Sequence, residues 1–239
     1  MRSGPPAPRL EFARWIVFED EHLVAVNKPA GVLSQGGEGG ARVNLVDLAR
    51  AHFARNEGIG VLHRLDRNVS GIVLLSKTPR AARALTMAIA DGKVERIYRA
   101  IVRGEPAADS FRVNASLRKN ERTNEVDARS PESAQGIPDF KPAETDVSVL
   151  SRWRAPLGPC AVLDVRPITG RSHQIRVHLA FVRLPIVGDP KYGVAARGIT
   201  RPLLHARAMR FAHPVTRKDT LIEAPIPWTD EQVRALRPG

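Results

Sequence analysis

Asp66 stands between two arginines in the run Val61-Leu62-His63-Arg64-Leu65-Asp66-Arg67-Asn68-Val69-Ser70-Gly71. A continuous apolar stretch, Ile72 to Leu75, follows directly. A carboxylate flanked by guanidinium groups is favoured in its charged form, and on a rigid strand-to-strand link it can do chemistry. The competing reading is local: Asp66 caps a turn while Arg64 and Arg67 face solvent. A second polar cluster is Thr169-Gly170-Arg171-Ser172-His173-Gln174-Ile175-Arg176-Val177-His178-Leu179. Its histidines, His173 and His178, are five apart, so they diverge on a strand and on a helix alike. Zinc pairs on helices are spaced four apart, and the single Cys160 offers no thiolate set, so no metal is expected. Arg176 carries a fixed charge out of an apolar segment, with Asp164 and Asp189 as candidate partners.

These groups need a scaffold, and its signals lie on either side of them. Short Val/Ile/Leu-rich runs before and after the Asp66 turn predict two buried strands. Upstream, Trp15–Phe18 and Leu23–Val26 read as strands around an acidic turn, with Pro29 closing the second. Asn44 caps a predicted helix through about Phe53, and Thr78-Pro79 starts another that runs to Gly92. Strands follow at Val94–Val102, Asp146–Leu150, Ala161–Val165, Ala206–Phe211 and Leu221–Glu223. Thr229-Asp230-Glu231-Gln232 is a capping box. The run from Ile175 to Val182 fits both periods, and Ser172 before it and Pro185 after it favour a helix. The polar middle of Asn114–Thr145 is expected as an exposed loop or hairpin. Gln35–Gly40 is a glycine-rich loop without the Lys-Ser/Thr ending of a phosphate loop. Together these predict an α+β fold, a mixed, mainly antiparallel sheet with flanking helices. Residues 1–14 are expected as a disordered arm and residues 15–239 as a single domain.

Composition narrows the partners. The 239 residues carry 37 Lys+Arg against 25 Asp+Glu, a net charge of +12. Nucleic acid is the commonest partner of such a chain, and no basic amphipathic helix favours a membrane surface. The Pro-rich start lacks a signal-peptide core and no run reaches membrane-spanning length, so a cytoplasmic protein is expected.

With both clusters in view, the chain resembles the RluA family of RNA pseudouridine synthases, from about Phe18 to Pro214. His63-Arg64-Leu65-Asp66 with Ser70-Gly71 is similar to the signature that bears the family's catalytic aspartate. Arg96-Ile97-Tyr98-Arg99-Ala100 is similar to its tyrosine strand, and Gly170-Arg171-Ser172-His173-Gln174-Ile175-Arg176 to its basic motif. Asp189-Pro190-Lys191-Tyr192-Gly193, Leu204-His205-Ala206 and Phe211-Ala212-His213-Pro214 resemble further blocks in the same order. Val69, Ser172 and Arg96 depart from the usual threonine, threonine and lysine without removing a reacting group.

The resemblance implies a pseudouridine synthase-like catalytic domain without the separate N-terminal RNA-binding domain of many relatives. It also implies an isomerase that detaches uracil from ribose, rotates it and rejoins it through carbon, using no cofactor and no metal. Asp66 would be the nucleophile or the base that takes a ribose proton, with Arg176 holding its charge. Tyr98 would stack on the base or relay a proton. His63, Arg64, Arg67, Arg171 and His173 would contact a structured ribosomal or transfer RNA, and Arg64 would fill the space left by a flipped uridine. A monomer is expected. A non-catalytic RNA-binding protein would share the charge without needing Asp66, Tyr98 and Arg176 together, and a metal-dependent hydrolase would need ligand spacing that is absent.

Overall fold

Helix starts in this chain are set by capping side chains, and the computed structural model, which describes residues 9–36, 43–54 and 58–239, bears out those expected at Asn44, Thr78 and Thr229. The first half runs α1 (Arg9–Trp15), β1 (Ile16–Glu19), β2 (Leu23–Lys28), α2 (Leu45–Phe53), β3 (Gly60–Val61), β4 (Ser70–Ser76), α3 (Pro79–Ala90), β5 (Glu95–Arg103). Then come β6 (Ser110–Asn120), β7 (Glu125–Arg129), α4 (Pro131–Ala134), β8 (Lys141–Ala155), β9 (Gly158–Pro167), α5 (Gln174–Phe181), β10 (Leu204–Ala212), β11 (Asp219–Glu223) and α6 (Asp230–Arg234). The architecture is α+β, a mixed and mainly antiparallel sheet with few helices. The chain divides into two compact units, one ending at Glu95 but reclaiming Arg207–Pro225, the other holding Arg96–Ala206 and Ile226–Gly239. Each unit is described on its own below.

In the first unit β2 pairs antiparallel with both β1 and β4. All of β4 is buried, as its apolar run demands. Ile72 and Leu74 pack with Leu23, Ala25, Ala81, Leu85, Met209 and Phe211 in one core. The strand expected before the Asp66 turn is only the two residues of β3, because from His63 the chain leaves the ladder. Thr78 Oγ1 accepts from Ala81 N at 3.3 Å and opens α3 with Pro79 in its first turn. The helix closes through Gly92, whose φ of 69° lets Lys93 N reach Ala88 O and Gly92 N reach Ile89 O.

The disordered arm expected through residue 14 is corrected from residue 9 onward. Arg9–Trp15 is helical, and Phe12 is fully buried against Trp15, His52 and Phe53. Burying that ring is worth about 2–3 kcal/mol, enough to hold a helix too short to persist alone. Met1–Pro8, the start of the expected arm, lies outside the described residues, as does most of the expected glycine-rich loop, 37–40.

In the second unit β5, β9, β8, β6 and β7 pair antiparallel in that order. The polar stretch 114–145 contains the hairpin β6–β7, with Ser116 opposite Arg129 and Asn120 opposite Glu125. Pro142 sits in β8 beyond the end of β9, whose last pair is Pro167 with Thr145, so its missing N–H breaks no bond to that neighbour. The expected helix in the basic cluster is α5, yet it begins at Gln174, after His173 in the left-handed region (φ 53°) with no side-chain cap. Gln174 to Leu179 are all buried, which is why neither period stood out in the sequence. No helix among the described residues is long and apolar enough to cross a membrane.

Candidate active site

The loop bearing Asp66 is clamped from both flanks, and the clamp explains why a polar loop of this length can be rigid. Ser34 Oγ donates to Leu65 O and accepts from Leu65 N, both at 3.0 Å, on the residue before Asp66. On the residue after it, Arg67 O accepts from Gly31 N at 2.7 Å and from Lys28 Nζ at 3.3 Å. Lys28 is wholly buried, and its ammonium also donates to Pro29 O and Val32 O at 3.0 and 2.9 Å. A buried cation is tolerable when carbonyl oxygens replace its hydration, and here three do. Asp66 O closes the turn by accepting from Val69 N at 3.1 Å. The half-buried Asp66 side chain therefore leaves a backbone fixed at both neighbours. Arg64 is exposed; Arg67, also exposed, spends its Nε on Gly31 O at 3.0 Å. His63 Nε2 accepts from Leu74 N at 3.1 Å, so that nitrogen carries no proton and ties the loop to β4.

In the second unit the basic motif is built around Gln174. Its amide donates to Glu144 O and Thr145 Oγ1 on β8 at 2.8 and 3.0 Å. Its carbonyl accepts from Thr169 Oγ1 and Arg171 N at 2.7 and 2.9 Å. One buried side chain thus fastens the loop 169–171 to the sheet, and Arg96 adds bonds to Pro167 O and Thr169 O at 3.3 and 3.2 Å. Arg171 is exposed and reaches Pro142 O with Nε at 3.3 Å.

Arg176, only 7% exposed, binds Asp189 through two parallel bonds, Nε to Oδ2 at 2.6 Å and Nη2 to Oδ1 at 2.7 Å. Of the two acids the sequence offered, Asp189 makes this fork, while Asp164 bonds Arg99 at 2.8 Å across the β5–β9 ladder. Burial pushes the Asp189 carboxyl up. The hydrogen bonds and charge of Arg176, with the N–H groups of Lys191 and Tyr192, outweigh that and hold it below the usual carboxylate range. The Tyr192 ring lies under the Arg176 guanidinium, 5.1 Å to its centroid. Gly193 follows because a Cβ there would collide with Ile186 O and with Asp189. Tyr98 lies in β5 opposite Val165, nearly buried.

The two histidines of the motif go separate ways. His173 Nδ1 meets the Tyr192 hydroxyl at 2.8 Å, whereas the wholly buried His178 has Nδ1 against Thr145 Oγ1 at 2.9 Å. Burial drives the His178 pKa down to about 4, so it is neutral at physiological pH.

The sequence profile described as RNA pseudouridylate synthase matches residues 22–181. The chain belongs to that family, in its RluA branch. Membership makes it an RNA-binding isomerase that converts uridine to pseudouridine. The ribosomal large subunit pseudouridine synthase C of Vibrio cholerae serotype O1 is 34% identical over 234 residues, 93% of this chain and 70% of that protein. Its namesake in Escherichia coli K12 is 35% identical over 226 residues, 88% of this chain and 66% of that one. The synthase thus spans about two thirds of the length of these relatives. Among solved structures, human RNA Pseudouridylate Synthase Domain Containing 1 superposes with a TM-score of 0.75 at 25% identity, over 93% of this chain and 88% of that one.

Of the residues expected at the site, His63, Arg64, Asp66 and Arg67 lie in the first unit of the synthase, and Tyr98, Arg171, His173 and Arg176 in the second. Within the second, Arg176 and His173 meet on Tyr192. Sequence reasoning missed Lys28, Ser34 and the role of Gln174. The available signal was Lys28 directly before Pro29, a charged residue ending an apolar strand, where only the proline was read.

Proposed function

We propose that this synthase isomerises specific uridines of ribosomal RNA, in the cytoplasm and as a monomer, with Asp66 as the catalytic carboxylate and Tyr98 and Arg176 assisting. The observation that carries the reading is the double clamp on Leu65 and Arg67, which presents the Asp66 side chain from a backbone that cannot drift. The names of the bacterial relatives support ribosomal over transfer RNA. In the reaction the bond from ribose to nitrogen 1 of uracil breaks and a bond to carbon 5 forms. Carbon 5 loses its hydrogen as a proton, and nitrogen 1 gains one, so nothing is oxidised and no cofactor is consumed. Asp66 acts either by attack or by removing a ribose proton, and both roles need it ionised. Arg176 would support that charge, and Tyr98 would face the base. The uridine must leave its stack first, at about a few kcal/mol, with Arg64, Arg67, His63, Arg171 and His173 contacting the RNA around it.

Release of tritium from 5-tritiated uridine RNA measures the step directly. Asp66→Asn is expected to abolish release while RNA binding changes little. Wild-type release by Asp66→Ala would remove Asp66 from the mechanism.

A further inference from the structure

Gly170 is a glycine that its own backbone does not call for. An added Cβ would stand 3.6 Å from Arg96 Nη1 and 3.9 Å from Nη2, ordinary contact distances, and the residue is not in the left-handed region. What the missing Cβ leaves open is the edge of a guanidinium. Arg96, half-buried at the start of β5, turns Nη2 toward Pro167 O and Thr169 O at 3.3 and 3.2 Å, which fixes its plane against the loop. Its Nε is buried without an acceptor, and Nη1 bonds no other described residue. Gly170 beside it is exposed, so Nη1 lies just beneath the protein surface. We infer that Arg96 is a further RNA-binding residue, which takes a backbone phosphate through Nη1 across the gap at Gly170. This deepens the reading of Arg171 as an RNA contact and rests on it.

The charge on this group is not spent inside the protein. Arg99, Arg112, Arg152 and Arg176 of the same unit each reach a carboxylate, at 2.6 to 2.8 Å. Arg96 and Arg171 instead bond only backbone carbonyls, Arg171 through Nε to Pro142 O at 3.3 Å, and neither has an acidic partner among the described residues. Carbonyl oxygens orient a guanidinium without neutralising it, so two full positive charges flank one exposed glycine. A guanidinium held in this way loses little freedom when an oxyanion arrives, and it donates a charge-assisted bond to it. Fold stability alone would favour removing this cation. Its Nε–H is desolvated with nothing to bond, a cost that an apolar side chain avoids. A phosphate contact reads no base, so Arg96 adds affinity and register rather than the choice of uridine.

Filter binding of the full chain across a salt series tests this, with a transcript of large-subunit ribosomal RNA and with bulk transfer RNA as probes. Arg96→Gln keeps an amide donor for the loop but no charge. It should lower affinity about five- to tenfold and reduce the slope of log K against log salt by about one on both RNAs. Arg96→Lys should hold the wild-type slope. Gly170→Ala changes no charge and sets a methyl 3.6 Å from Nη1. Its affinity should fall about threefold with Tm unchanged. A wild-type slope in Arg96→Gln overturns the inference, and so does an equal loss of slope in Arg96→Lys, which would make Arg96 a brace for the loop. If Arg96→Gln does not fold, wild-type affinity in Gly170→Ala overturns it. A drop confined to one of the two RNAs overturns it as well, because a phosphate contact is blind to sequence. Absence of tritium release by wild type would instead strike at the assigned reaction and leave the binding slopes to decide the role of Arg96.

Discussion

At the scale of single residues, buried polar groups do the positioning, and their pairing can be tested by removal. Lys28→Met deletes an ammonium that three carbonyl oxygens were built around. Unsatisfied, those acceptors cost about 1–3 kcal/mol each at most, so a loss of roughly 3 kcal/mol in urea unfolding is expected, with tritium release falling alongside. His178 sets an acid limit. Its pKa falls from 6.5 unfolded to about 4 folded, so the unfolded chain binds the extra proton between those values. Its stabilising share is full above pH 6.5 and is lost as pH falls through about 4, on the order of 3 kcal/mol in all. Asp189, held low by Arg176, adds its own loss as pH drops below the ordinary carboxylate value of 3.8. Urea midpoints measured from pH 7 to pH 4 should fall for wild type and flatten in His178→Gln. Some of this was legible beforehand: an arginine in an apolar run needs an acid, and Asp189 was one of two candidates. The hub roles of Gln174 and Tyr192 were not, because each depends on backbone atoms that folding brings up from distant β8 and β7.

At the scale of elements, ends were easier to read than middles. Thr78, Pro79 and Gly92 bracket α3 because capping and left-handed exits depend on neighbours in sequence. Thr78→Ala should lower stability by about 1 kcal/mol with tritium release unchanged, checked by thermal melts of folded enzyme. The β6–β7 hairpin was only outlined. Its buried positions, Val113, Ala115 and Leu117, do alternate, but Arg112, Asn114, Arg118 and Lys119 around them make the stretch look like loop. What makes it sheet is pairing with β8, a partner beyond the reach of local pattern. His213 shows the same limit. Its Nδ1 accepts from Val215 N and Thr216 N, so its Nε2 proton goes to Asp20 at 2.8 Å, pinning the β1–β2 turn from a position 193 residues away.

For the whole molecule, charge was the legible property. A net +12 predicts RNA affinity that falls steeply with salt, since each neutralised phosphate releases bound counterion. Replacing the exposed Arg171 by Met is expected to reduce the slope of log K against log salt by about one, measured by filter binding across a salt series. The division into two units was not legible, because both are interrupted: the family's sequence profile, 22–181, crosses from one into the other without a linker signal. That interruption bears on how the protein is made. Met209, Phe211, Ile222 and Ala224, which complete the core around β4, are encoded far downstream of Glu95. On the ribosome the amino-terminal half must wait, incomplete, until more than a hundred further residues have emerged, and a gene divided after codon 95 would yield a product with an open hydrophobic seam exposed to aggregation.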